Sequence, residues 1–198
     1  MARLKSPFFW FILAVLTTAG LTSVGPQERS LGENVRIIYL HDAWLLTAEA
    51  ALGAAALVGL LAILTRRETL HRWSAALGRT GIFFWVTYLP MALWAFQTDW
   101  GELFRTEPRF QATVALAATG VILQIGLTLL AKPMITSLVN VFFYVALQIS
   151  VLRKGYILHP PPSPIFGSGI LSIELFFIGI IFLTLAAAYF MTRWWLSR

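Results

Sequence analysis

Two histidines, His41 and His159, with Arg36, Arg105, Arg109 and Trp100, are the residues whose types could assemble into one chemical site. A neutral imidazole is a good axial ligand for haem iron, and two histidines on facing loops would supply both sides of one ring. The propionates of that ring are anionic, so Arg36, Arg105 or Arg109 would pair with them through charge-assisted hydrogen bonds. Trp100, Phe104 and Phe110 have apolar faces that could cover the porphyrin. A plainer reading uses the same residues. Histidine and tryptophan at headgroup level are ordinary interfacial anchors, and outward-facing arginines bind lipid phosphate. With no cysteine in the chain, covalent haem attachment, thiolate metal sites and disulfides are excluded, which leaves haem b held non-covalently. No P-loop, HExxH or GxSxG pattern occurs, so these catalytic signatures are missing.

Those residues have to be positioned by apolar helices. Of the 198 residues, 58% are hydrophobic and only 12% are charged, against about 25% charged in soluble domains. Too few ionised groups remain to solvate a globular surface, so lipid has to cover much of the chain. A bilayer core is about 30 Å thick and takes roughly 20 apolar residues to cross. Six segments meet that length approximately: 7–24, 43–64, 77–96, 111–131, 133–151 and 169–190. The expected architecture is an all-α polytopic membrane bundle of six transmembrane helices, forming a single domain over residues 1–198. Pro90 should kink the third helix, with neighbouring helices satisfying the freed carbonyl. Ala131, Lys132 and Pro133 leave room only for a tight hairpin between the fourth and fifth. The first segment also admits a signal-peptide reading, with Arg3 and Lys5 ahead of an apolar run.

An even number of spans puts both termini on one side, and the basic residues suggest which. Arg3, Lys5, Arg66, Arg67, Arg72, Arg79, Lys132, Arg193 and Arg198 fall on the terminal side. Arg29, Arg36, Arg105, Arg109, Arg153 and Lys154 fall opposite. The excess places both termini in the cytoplasm and the chain in the inner (plasma) membrane as a multi-pass protein. The net charge of +6 is therefore topogenic, and nucleic acid is not an expected partner. Outer loops are expected at 26–42, 97–110 and 152–168, carrying His41 and His159. His71 is expected to be solvated in the arginine-rich inner loop.

Polar residues inside the apolar runs are costly and usually face the bundle interior. Glu49 lies on one helix face with His41 and Leu45, at spacings of four. It could line a pocket below His41, or be a protonated carboxyl bonded to a neighbouring helix. Glu174 lies near an outer helix end, within reach of water. Gln124, Asn140 and Gln148 read as interhelical hydrogen-bonding groups. Gly53 and Gly59, set among alanines, predict close helix packing.

The run Gly32-Glu33-Asn34-Val35-Arg36-Ile37-Ile38-Tyr39-Leu40-His41 resembles the segment ahead of the second helix in the CcmC-like cytochrome c assembly proteins (haem exporter protein C). There the run reads roughly G-x-S-x-R-I-x-Y-x-H. The family also has six helices with both ends cytoplasmic. Its tryptophan-rich loop, W-G-x-W-W-x-W-D-x-R, aligns with residues 100–109 and retains Trp100, Gly101 and Arg109. In this chain Leu103, Phe104 and Thr106 replace the central tryptophans, and Glu107 replaces the aspartate. The family follows its first histidine with H-V-P-x-x-W, against His41-Asp42-Ala43-Trp44 here. Its second histidine position, counted from Val139-Asn140, falls at Val145, which cannot bind iron. His159 in Leu158-His159-Pro160 is similar to a later L-H of the family. The resemblance implies His41 as axial ligand, with His159 a substitute second ligand, and Arg36, Trp100 and Arg109 around the haem. It further implies transfer of haem toward apocytochrome c beside ABC transporter subunits and a haem chaperone. A degenerate relative that keeps the fold as a non-haem scaffold is the alternative.

Overall fold

The computed structural model describes residues 6–29, 31–101, 107–153 and 165–198. Six helices account for nearly all of them: α1 (Pro7–Ser23), α2 (Val35–Thr65), α3 (Glu68–Trp100), α4 (Pro108–Leu130), α5 (Pro133–Arg153) and α6 (Leu171–Leu196). The chain is all-α, as its composition requires. By length and composition α2, α4, α5 and α6 can each cross a membrane, which is compatible with a multi-pass membrane protein. At 17 residues α1 is apolar but shorter, about 26 Å at 1.5 Å per residue. α3 is long enough but less apolar, with Thr80, Thr87, Tyr88, Pro90 and Gln97 in its middle stretch. Leu16, Leu64, Ile122, Leu129, Phe142 and Phe182 stand largely uncovered, Leu129 to 81%. Water would make that surface an aggregation liability, whereas hydrocarbon solvates it at no cost.

Helix ends follow local chemistry. Pro7, Pro108 and Pro133 each open a helix, where the missing N–H has no intrahelical acceptor to lose. Arg66 and Ala131 take left-handed conformations, at φ +55° and +51°, and turn the chain sharply between α2 and α3 and between α4 and α5. The expected tight hairpin at 131–133 is therefore present. α3 runs through Pro90 without ending. Two expected helix starts move most. α2 begins at Val35 instead of residue 43, because Val35, Ile38 and Tyr39 bury one face against the bundle. α3 begins at Glu68 instead of residue 77, so the arginine-rich inner loop shrinks to a turn at Arg66–Arg67.

α2 is the central element and packs on α1, α3, α5 and α6. Ala43, Ala48, Ala55 and Ala62 are fully buried along it, and Gly59 marks the closest approach. A Cβ there would lie 2.8 Å from Ser74 Oγ and 2.9 Å from the Ser137 carbonyl. Polar pairs tie the helices together beside these small residues. Thr47 Oγ1 donates to Thr184 Oγ1 at 2.7 Å, and Asn140 Nδ2 donates to the Ser74 carbonyl at 3.0 Å. Gln124 Nε2 donates to Asn140 Oδ1 at 3.2 Å, so two of the three expected interhelical amides serve that role. α1 runs antiparallel to α6, with Phe8 against Trp194 and Trp10 against Phe190. The start of α1 and the end of α6 therefore lie at the same end of the bundle, here called the terminal end.

His71 is corrected by this arrangement. It lies in the first turn of α3, is buried, and places Nδ1 2.7 Å from Ser137 Oγ. The early start of α3 carries it onto α5 instead of into solvent.

Candidate functional site

The site is built where the distal end of α2 meets α3 and the start of α4. His41 is not a loop residue. It sits in the second turn of α2, 5% exposed, because the early helix start turns it inward. Its ring lies over Tyr88 of α3, with centroids 4.8 Å apart and planes at 33°. Nδ1 is 2.8 Å from Asp42 Oδ1. An ionised carboxylate only accepts, so Nδ1 carries the proton, and in the neutral ring Nε2 is a bare acceptor. That Nε2 is buried and has no hydrogen-bond partner among the described residues. A carboxylate on one imidazole nitrogen with the other left open is how metal-binding histidines are held and oriented. The unpaired atom, although closed off from solvent, is the observation that fits an iron ligand, since an unpaired buried acceptor costs about 1–3 kcal/mol.

Charged groups gather around this ring. Asp42, Glu49, Glu107 and Arg109 all lie within electrostatic range of Tyr88, and Arg109 within range of Glu49. Arg109 occupies the first turn of α4, which Glu107 caps by accepting from Phe110 N at 2.7 Å. Phe110 in turn meets Phe96 edge-on at 5.8 Å. The cap thus fixes the first turn of α4, which carries Arg109 and Phe110. Glu49 is half-buried below, on the face that the four-residue spacing predicts. Glu174 lies in the first turn of α6, where the helix dipole favours a negative charge. It is not part of this cluster.

The other expected residues divide. Arg36 is not brought to His41. Five residues apart on one helix, they lie about 140° around its axis. Arg36 instead donates from Nε to the Gly25 carbonyl at 3.2 Å and faces Glu33 at 3.6 Å, bracing the loop after α1. Trp100 is the last residue of α3, at the same end of the bundle as His41. His159 and Arg105 lie outside the described residues, as does most of the expected third loop. Among the described residues no group of three or more His, Asp or Glu is placed to hold a metal ion.

Tyr88, Asp42 and Glu107 are contributors that sequence reasoning missed. Asp42 adjoins His41, yet neighbours on a helix seldom face each other, so adjacency was no signal. Tyr88 carries no signal at all short of the α2–α3 crossing. Glu107 had one, because an acidic residue directly before Pro108 and an apolar run is a helix start. No protein-family model, curated protein or solved structure matches this chain.

Proposed function

We propose that this protein handles haem in the assembly of c-type cytochromes, binding haem b non-covalently at the outer face of the inner membrane. The observation that carries the reading is His41, buried, held by Asp42 through Nδ1, with Nε2 unpartnered. The resemblance of residues 32–41 to the haem-ligand segment of the CcmC-like proteins supports the same residue. In this reading His41 is one axial ligand and Asp42 positions it. Arg109 faces the propionates, Trp100 contributes an apolar face, and His159 is the candidate second ligand. When bound, haem is the cargo, and its iron is what the imidazole recognises. The chain's residues do no covalent chemistry on it. They hold the ring, exclude water from one side, and release it toward apocytochrome c. ABC transporter subunits and a haem chaperone are the partners this role implies. Both termini then lie in the cytoplasm, in keeping with the basic residues of the terminal end.

A non-haem scaffold is the second reading, and one observation favours it. His41 Nε2 is shut off from solvent, so the surrounding side chains would have to move for a porphyrin iron to reach it. Absorption spectra separate the two. The protein purified from haem-supplied membranes should show a Soret band that His41→Ala removes. Asp42→Asn should weaken haem affinity by about 10–100-fold, the usual effect of losing a ligand's carboxylate partner. A folded protein with no Soret band would leave the scaffold reading.

A further inference from the structure

Away from His41, a trough of about 490 Å³ opens toward lipid between α3 and α4, with Trp195 of α6 at its mouth. Ile82, Phe83, Val86, Val121, Ile125 and Leu129 form its walls. It exists because α4 packs only on α3 and α5 and buries just Ala117, Gly120 and Leu127. From Arg79 to Thr87 on one wall, or Leu129 to Val121 on the other, its length is about 12 Å at 1.5 Å per residue. The deep end is apolar and the shallow end is not. Arg79 stands at the mouth, and Nη2 donates to Thr128 Oγ1 at 3.3 Å. Its guanidinium lies 5.5 Å from the centre of the Trp195 ring. Both of these partners are neutral. The Trp195 indole N–H is buried, with no hydrogen-bond partner among the described residues.

We propose that this trough is a binding site for one acyl chain of an anionic phospholipid, with the headgroup phosphate held by Arg79, whose guanidinium the Trp195 ring backs. Its polarity runs as a phospholipid's does, from a cation and an indole at interface depth to hydrocarbon below. Among the described residues the Arg79 guanidinium has only neutral partners, and a phosphate oxygen supplies an anionic one. The surroundings select an anionic headgroup over a zwitterionic one. Arg66, Arg67, Arg72, Lys132, Arg193 and Arg198 lie at the same terminal end, where Glu68 is the one carboxylate among the described residues. Basic groups between transmembrane helices recognise anionic headgroups in this way.

Native mass spectrometry of the full chain in mild detergent tests the site, using equimolar phosphatidylglycerol and phosphatidylcholine with matched acyl chains. One phosphatidylglycerol should be retained in preference to phosphatidylcholine. Arg79→Gln should weaken that retention about fivefold to tenfold, and Arg79→Lys should keep most of it. Val121→Trp fills the deep end, leaves Arg79 in place, and should release the lipid as well, which keeps the test sound if an Arg79 variant fails to fold. Equal retention of the two lipids overturns the proposal, as does phosphatidylglycerol retention unchanged in folded Arg79→Gln. With no native cysteine, Ile125→Cys gives a clean probe of another occupant. Efficient Ile125→Cys cross-linking between copies in membranes would assign the trough to a dimer contact and also overturn the lipid site.

Discussion

Replacing His41 by phenylalanine should make the haem-free protein more stable, not less, and this follows from balancing two terms. The wild-type ring buries an unpartnered Nε2, a cost of about 1–3 kcal/mol. Its opposing contribution is the pair with Asp42. The Asp42 side chain is 26% exposed and regains water when the imidazole leaves, so that pair is worth about 0–1 kcal/mol. Phenylalanine retains the contact with Tyr88 and removes the orphaned acceptor. The orphan term is larger, and a net gain of about 1–2 kcal/mol is expected, a factor of roughly 5–30 in the folding equilibrium. Unfolding of the haem-free protein in mixed micelles of mild detergent and SDS, followed by circular dichroism, measures it. His41→Leu serves as control, because it relieves the same atom without the size of a second ring. Added haem should then stabilise the wild type by mass action and leave both variants unmoved. If both variants lose more than about 1 kcal/mol without haem, Nε2 has a stabilising partner and His41 is a structural residue. A polar group retained at a cost to stability and needed only for binding is the usual signature of function.

Other perturbations test the bundle itself. Gly59→Ala should destabilise by about 1–3 kcal/mol through overpacking against Ser74 and the Ser137 carbonyl. Gly126→Ala, which meets nothing within 4 Å, should be neutral or stabilise by up to about 1 kcal/mol; the same unfolding assay should give opposite signs. Thr47→Val and Thr184→Val, which break the 2.7 Å bond between α2 and α6, should show a coupling of about 0.6 kcal/mol in a double-mutant cycle. A coupling near zero would mean that the two hydroxyls find other acceptors. Arg109→Gln should weaken haem binding in titrations followed at the Soret band, whereas Arg36→Gln should leave it unchanged, because Arg36 braces Gly25 on another face of α2.

Much of the architecture was legible before any coordinates. Charge scarcity and the length of the apolar runs are summed properties that survive local error, so helical class and helix number followed from composition. Pro133 acts within a turn or two, and with Ala131 and Lys132 it placed the α4–α5 hairpin from the sequence alone. Gly59 among alanines announced a close crossing because the absence of a Cβ is itself a local fact. Helix ends without such punctuation were not legible. Asn34 to Asp42 reads as a polar loop until Val35, Ile38 and Tyr39 find a surface to bury against, and only packing supplies that surface. The same uncertainty moved His71 from solvent into contact with Ser137. The site shows the divide most clearly. Residue type identified His41 and Arg109 as candidates, since imidazole and guanidinium chemistry is intrinsic. Which imidazole nitrogen is engaged, that Tyr88 lies against the ring, and that Arg36 turns away are decided by the rotation of α2 about its axis. That rotation is set by α3, α5 and α6 packing around it, a sum of contacts between residues far apart in the chain.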